Sequence, residues 1–158
     1  MVVALGRTGL GLEEQVMPAP LDWVEMPLAG RMALLRTGVP ASWVRHMEHA
    51  TGLPRSVLCR LLGLKLSTVN RKLHNQALLS PDETERLMGL QRLIGEVAAI
   101  VRDCGDGQPF DAAQWLAAWL QRPSRALGGA LPGDFLDTAE GRGQLSRQIG
   151  AQRSGAYM

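Results

Sequence analysis

Apolar residues recur every three or four positions along most of this chain, which is the spacing of one face of an α-helix. The longest such face lies within residues 80–102 and consists of Leu87, Leu90, Leu93, Ile94, Val97 and Val101. No stretch of the sequence shows the strict alternation of apolar and polar residues that is typical of a β-strand. The pattern therefore predicts an all-α fold.

Residues suited to helix N-termini mark where these helices begin. The segment Ser80-Pro81-Asp82-Glu83 combines a capping serine, a proline in the first helical position and a glutamate three residues after the serine. This combination predicts a capping box at the start of the long helix. Other starts are predicted at Ser42, Pro54, Ser67, Asp111 and Thr138, and the last helix is expected to turn Leu145 and Ile149 inward.

Glycines indicate where helices end or where two backbones approach each other. Gly52 and Gly63 each follow a predicted helix and suit the left-handed conformation that ends one. The last helix contains Gly141, Gly143 and Gly150, although each costs about 1 kcal/mol relative to alanine inside a helix. We expect another backbone to lie close to these three glycines.

Composition divides the chain into three segments. Residues 1–30 are rich in glycine, proline and acidic residues, and their prolines predict an arm without a regular helix, partly disordered or packed on the surface, with Trp23 available as an anchor. Residues 31–102 form a predicted helix-turn-helix domain for DNA binding and dimerisation. A polar linker at 103–109 opens a small helical C-terminal domain, residues 103–158.

The overall composition excludes several classes of protein. The 158 residues are 46% hydrophobic with a formal net charge of +2, as in an ordinary soluble domain. Apolar runs are too short to cross a bilayer, and the N-terminus lacks the features of a secretory signal. Cys59 and Cys104 suit neither a disulfide framework nor a metal site. We therefore expect a cytoplasmic protein without a membrane partner.

Residues 54–75 have the pattern of a helix-turn-helix. Cys59 is the small residue midway along the first helix, where the second helix crosses closely, and Gly63 lies in the turn. The apolar positions expected to hold the two helices together are Leu58, Leu62, Leu64, Val69 and Leu73.

The second helix of this motif carries side chains of the kinds that contact DNA. Amide and guanidinium groups can reach base edges in the major groove, and cations can pair with phosphates. The candidate DNA-binding residues are Thr68, Asn70, Arg71, Lys72 and His74. Residues 49–81 hold five Lys and Arg residues and no acidic residue, a local charge of +5. The alternative is an ordinary helical hairpin with a solvated, charged face.

Motifs for catalysis and metal binding are absent from the sequence. It contains no nucleophile elbow, phosphate-binding loop or dinucleotide fingerprint. His46 and His49 share a predicted helix face but lack two further zinc ligands, so we expect a surface or dimer-contact role. Acidic residues near the start of the last helix complement its dipole; they are Asp134, Asp137 and Glu140. The sequence predicts neither an enzyme nor a cofactor.

Aromatic residues near the C-terminus are candidates for a partner surface. Trp115 and Trp119 lie four residues apart on one predicted helix. We expect Trp119 in the core, whereas Trp115 fits either the core or an interface. Beyond the last helix, Arg153, Tyr157 and the carboxylate of Met158 form a probe with a cation, a phenol and an anion. The alternative for this tail is a frayed terminus.

Several motifs in the second half of the chain resemble the Xre/MbcA/ParS-type antitoxins. They follow the helix-turn-helix and are LSPDETERL at 79–87, WLQRP at 119–123, LGGALP at 127–132, LDTAEG at 136–141 and GAY at 155–157. The resemblance covers residues 50–158, and its C-terminal part is the more specific half.

This resemblance implies a type II antitoxin whose partner is a RES-domain toxin, similar to ADP-ribosyltransferases and acting on NAD⁺. The C-terminal domain would bind the toxin and place the tail at the mouth of its NAD⁺ pocket. Tyr157 would then lie where the adenine or nicotinamide ring of NAD⁺ binds, and the terminal carboxylate would occupy a phosphate subsite. A homodimer would repress the operon by binding operator DNA. The candidate toxin-binding residues are Trp115, Arg147, Arg153, Ser154, Gly155, Tyr157 and Met158.

Two other functions remain compatible with these residues. One is a helix-turn-helix transcriptional regulator whose C-terminal domain dimerises or senses a small ligand. The other is a protein–protein adaptor whose helix-turn-helix no longer contacts DNA. An operator affinity that depends on salt without any protein partner would favour the first.

Overall fold

The computed structural model describes residues 15–153, which form eight α-helices and no β-strand. The helices are α1 (Pro20–Glu25), α2 (Leu28–Thr37), α3 (Ser42–Thr51), α4 (Arg55–Leu62), α5 (Leu66–His74), α6 (Pro81–Cys104), α7 (Ala112–Leu120) and α8 (Ala139–Arg153). Two 3-10 turns, Arg125–Leu127 and Pro132–Phe135, lie between α7 and α8. The predicted all-α fold is confirmed.

The long helix α6 forms the centre of the structure, and its predicted capping box is confirmed. The Ser80 hydroxyl accepts a hydrogen bond from the Glu83 backbone N–H at 3.1 Å, and the Glu83 carboxylate accepts one from the Ser80 N–H at 2.7 Å. Five of the six predicted apolar positions are buried, namely Leu87, Leu90, Leu93, Ile94 and Val97. The helix continues to Cys104 before Gly105 ends it.

The segment before residue 30 contains a helix, so the prediction that its prolines prevent one is wrong. Pro20 occupies the first position of α1, where its missing N–H has no helical partner to lose. Trp23 is only 3% exposed and joins the main core. A Cβ added at Gly95 of α6 would clash with the Pro20 carbonyl and lie 2.7 Å from Val24 Cγ1. Helix α1 therefore packs directly on the backbone of α6.

Two of the predicted serine caps are wrong. Ser42 and Ser67 lie inside the first turns of α3 and α5, and neither helix has a side-chain cap. Asp111 does cap α7, because its carboxylate accepts from the Gln114 N–H at 2.9 Å. Pro54 stands one residue before α4, at the N-cap. The predicted helix ends at Gly52 and Gly63 are confirmed by their left-handed conformations.

Helix α8 runs parallel to α6 and turns Leu145 and Ile149 into the core, as predicted. The contacts that show its direction, in order along α6, join Arg86 to Asp137, Gly89 to Arg142 and Asp103 to Arg153. Residues from α3 to α8 contribute to one hydrophobic core. The predicted helix-turn-helix and C-terminal parts are therefore joined by apolar packing.

Close backbone approach explains one glycine of α8 and not the other two. A Cβ at Gly141 would clash with the carbonyl of Phe135, and its N–H bonds to the Thr138 hydroxyl at 3.0 Å. Gly143 has only an arginine tip at 3.7 Å from such a Cβ, and Gly150 has open space. The predicted close approach is wrong at those two positions.

Candidate DNA-binding and toxin-binding surfaces

Helices α4 and α5 form the predicted helix-turn-helix, with Gly63 in the turn at φ +67°. Cys59 is buried at the small position, and burial raises the pKa of its thiol. Of the five residues expected to hold the helices together, Leu64 is half-buried and the others are buried. The core fixes α5 so that its opposite face lies in solvent.

The exposed face of α5 is a stripe at positions i, i+3, i+4 and i+7, formed by Ser67, Asn70, Arg71 and His74. We call these four residues the recognition stripe. Three of them are among the predicted DNA-binding residues. Ser67 was missed because it was assigned as a helix cap, although the same spacing rule would have found it. Thr68 and Lys72 are half-buried beside the stripe.

Lys72 pairs with an acid on another helix. Its ammonium lies 2.5 Å from the carboxylate of Glu83, and both side chains are less than one-fifth exposed. Burial raises the pKa of Glu83, but hydrogen bonds from Lys72 and Ser80 outweigh that effect and hold the pKa below its ordinary value. Lys72 thus joins α5 to the start of α6.

A second ion pair reduces the charge of this surface further. Arg55 donates through Nε to the Glu48 carboxylate at 2.9 Å and through Nη1 to Asn70 Oδ1 at 3.1 Å. The two acidic partners, Glu48 and Glu83, lie outside residues 49–81, so the charge count over residues 49–81 does not include them. The cations of the window that have no carboxylate partner within residues 15–153 are Arg60, Lys65 and Arg71.

A row of partly exposed aromatic rings extends from the residue before Asp111 along α7. Trp115 stacks on Trp119 with ring centroids 6.1 Å apart and planes 10° from parallel. Phe110, 46% exposed, contacts Trp115 at 6.4 Å. We call these three residues the aromatic row. Trp119 was expected in the core, and this is wrong, because it is only half-buried and packs against the core from outside.

The cationic candidates on α8 are exposed. Arg147 bonds to Gln144 at 2.7 Å, one turn earlier on the same helix. Arg153 lies 3.3 Å from Asp103 at the end of α6. Neither takes part in the ring contacts of Trp115. The remaining candidates, Ser154, Gly155, Tyr157 and Met158, lie outside the described residues.

A half-open groove of about 350 Å³ lies between α2, α6 and α8. Its wall includes Trp23 and Met88 together with Arg31 and Arg142. The Arg31 Nε atom is buried without a hydrogen-bond partner among residues 15–153. Burial is also the main reason that the pKa of Arg142 is lowered. Sequence periodicity could not find this groove because three distant segments build it.

No helix in the described part of the chain is long and apolar enough to cross a bilayer. Among residues 15–153, no group of three or more His, Cys, Asp and Glu side chains could hold a metal ion. His46 and His49 are both exposed, and His46 Nδ1 lies 3.1 Å from the Ser42 carbonyl oxygen.

Two family models match the two halves of this structure. The model described as "Antitoxin Xre-like helix-turn-helix domain" matches residues 30–92. The model described as "Antitoxin Xre/MbcA/ParS C-terminal toxin-binding domain" matches residues 106–155. The fold and these matches together define an antitoxin that carries a helix-turn-helix and a toxin-binding domain.

Two curated relatives agree with this class. The chain is 39% identical over 127 residues to the "Prs ADP-ribosylating antitoxin" of Sphingobium sp. (strain YBL2), and the aligned residues cover 80% of this chain and 80% of the relative. It is 25% identical over 118 residues to "Antitoxin Xre" of Photorhabdus laumondii subsp. laumondii, covering 75% of this chain and 74% of the relative. The chain belongs to the Xre/MbcA/ParS family of antitoxins. The match begins at residue 30, earlier than the resemblance to residues 50–158 indicated.

Proposed function

We propose that this protein binds and neutralises a RES-domain toxin that acts on NAD⁺, and that it represses its own operon through the helix-turn-helix. It acts in the cytoplasm as a homodimer, without a cofactor and without catalysing a reaction. The observation that carries the proposal is the match of residues 106–155 to a toxin-binding domain. The name of the Sphingobium relative, which joins the words antitoxin and ADP-ribosylating, supports a partner that acts on NAD⁺, because NAD⁺ is the donor in that reaction.

The geometry supports a toxin-binding end of the molecule. Because α8 runs parallel to α6, its last turn lies beside Asp103, and the chain beyond Arg153 continues from there. The loop after α6 begins at the same end and leads to Phe110 and Trp115. Partly exposed aromatic side chains are typical of the residues that dominate binding energy at interfaces. The aromatic row and the tail therefore belong to one proposed surface.

The tail is proposed to occupy the NAD⁺ pocket of the toxin. Tyr157 supplies a ring that can stack where a nicotinamide or adenine would lie. Arg153 can exchange its weak, exposed contact with Asp103 for an acid of the toxin, since surface ion pairs contribute little stability.

An inhibition assay separates binding from occlusion. The product of the adjacent reading frame is purified, and its consumption of NAD⁺ is measured with the full chain and with a chain cut after Ala151. We expect both chains to bind and only the full chain to inhibit. Equal inhibition by both would refute the role of the tail, and absence of binding would refute the antitoxin proposal.

The groove between α2, α6 and α8 favours one alternative. Arg31 and Arg142 line it without a salt bridge within residues 15–153, although Glu85 lies in the same wall, and the other lining residues are largely apolar. A ligand-sensing transcriptional regulator would need such a pocket for a small anion. Operator binding that changes with small carboxylates, together with failure to bind the adjacent gene product, would support this alternative.

A further inference from the structure

The only polar contact of the Asn70 side chain in residues 15–153 is with Arg55. Asn70 lies in the middle of the recognition stripe, and its Oδ1 accepts from Arg55 Nη1 at 3.1 Å. Arg55 is held in turn by Glu48, whose carboxylate accepts from Nε at 2.9 Å. The arginine and glutamate side chains are 31% and 22% exposed. Three helices, α3, α4 and α5, thus contribute to the orientation of one amide group.

The chemistry of the arginine decides which end of the amide faces it. A guanidinium has five N–H donors and no acceptor, so only the oxygen of Asn70 can pair with it. The amide NH₂ lies on the other side of the group, and no atom of the described residues pairs with it. Asn70 therefore presents two N–H donors away from the protein.

We propose that Asn70 recognises guanine in the major groove and that Arg55 and Glu48 are the positioning residues that set this preference. This inference rests on the proposed DNA binding. Guanine offers two acceptors in the major groove, N7 and O6, which match two N–H donors. Adenine offers one acceptor and one donor, and its amino group would face the NH₂ of Asn70. Asparagine usually pairs with adenine through both its oxygen and its nitrogen, but here Arg55 engages the oxygen.

Removing the arginine tests the positioning role separately from the contact itself. In Arg55→Met, the amide can rotate and use both ends, so adenine becomes an acceptable partner. In Asn70→Ala, preference at that base pair is lost altogether. Ser56→Ala serves as the matched control, because Ser56 is exposed on α4 next to Arg55, lies outside the recognition stripe and leaves the Asn70–Arg55–Glu48 arrangement intact. A thermal melt shows that each variant is folded.

The experiment selects bound sequences from a pool of random DNA duplexes, using the full chain and each variant. The wild type and Ser56→Ala are expected to enrich a guanine at one position, by roughly tenfold over adenine for one two-donor contact. Asn70→Ala should retain the rest of the motif with no preference there, and Arg55→Met should shift that position towards adenine. Replacing the guanine with 7-deazaguanine, which lacks N7, should weaken wild type and leave Asn70→Ala unchanged.

The outcomes that overturn the inference differ from those that overturn DNA binding. A wild-type motif in which Asn70→Ala removes an adenine preference refutes guanine recognition. An unchanged guanine preference in Arg55→Met refutes the positioning role. If the folded wild type enriches no sequence, the proposed DNA binding is refuted, and the inference falls with it.

Discussion

Arg71 and Lys72 are adjacent in sequence, and the structure predicts that only Arg71 contributes to DNA affinity through its charge. Arg71 is exposed in the recognition stripe, whereas Lys72 is paired with Glu83 at 2.5 Å. We compare Arg71→Met with Lys72→Met, since methionine retains an unbranched apolar stem in both. The measurement is the affinity for a DNA site as a function of salt concentration.

The expected magnitude follows from the number of cations without an acid partner. Each phosphate neutralised by a protein cation contributes about −0.9 to the slope of log K against log salt. Three such cations, Arg60, Lys65 and Arg71, give about −2.7 for each protomer, whereas five would give about −4.5. Doubling the salt should therefore weaken binding roughly sixfold per protomer.

The two variants should therefore differ in the slope of log K against log salt. Arg71→Met is expected to reduce the slope by about 0.9 per protomer, and Lys72→Met is expected to leave it unchanged. Fluorescence anisotropy of a labelled duplex between 50 and 200 mM salt, the range in which such slopes are measured, provides the values. An equal reduction in the two variants, or a wild-type slope near about −4.5, would refute the assignment of Lys72 to the ion pair.

Three further predictions concern stability and partner binding. In Glu83→Gln, the free energy of unfolding should depend less on pH, because in the wild type the Glu83 carboxylate stabilises the fold fully above its ordinary pKa of 4.5 and loses this effect as the pH falls through its lowered pKa in the folded protein. Urea titrations from pH 6 to 3 would measure this, and a pH dependence in the variant equal to that of the wild type would contradict it. Gly95→Ala should destabilise by about 2 kcal/mol because its Cβ meets α1, whereas Gly150→Ala, in open space, should stabilise by up to about 1 kcal/mol; equal effects in urea unfolding would refute the packing of α1. Trp115→Ala should weaken toxin affinity by at least about tenfold, whereas Gln114→Ala, at the exposed neighbouring position, should have little effect. Calorimetric titrations that give the two variants the same toxin affinity would exclude the aromatic row from the interface.

The sequence predicted best those elements whose signals are local. The capping box of α6 and its apolar face lie within one helix, and both are confirmed. Gly52 and Gly63 end their helices because a left-handed residue is needed there, whatever the rest of the fold does. The family resemblance was readable for the same reason, since its motifs are short and contiguous.

The errors arose where a residue's role depends on a distant partner. Helix α1 is only six residues long and forms on the surface of α6, where Gly95 leaves room for it. The ion pair of Lys72, a predicted DNA-binding residue, was missed because its partner Glu83 lies eleven residues away in the sequence. The hydrogen bond between Asn70 and Arg55 could not be predicted, because no pattern in the sequence links the two residues. Periodicity alone predicts neither the groove between α2, α6 and α8 nor the partial exposure of Trp119.

The central claim is that this chain protects NAD⁺ from the toxin that it binds. Its most direct test is the cellular NAD⁺ concentration after expression of the adjacent reading frame alone and together with the full chain. The account predicts that NAD⁺ collapses in the first case and stays at its normal concentration in the second. An equal collapse in both cells, or no change when the adjacent gene is expressed alone, would contradict it.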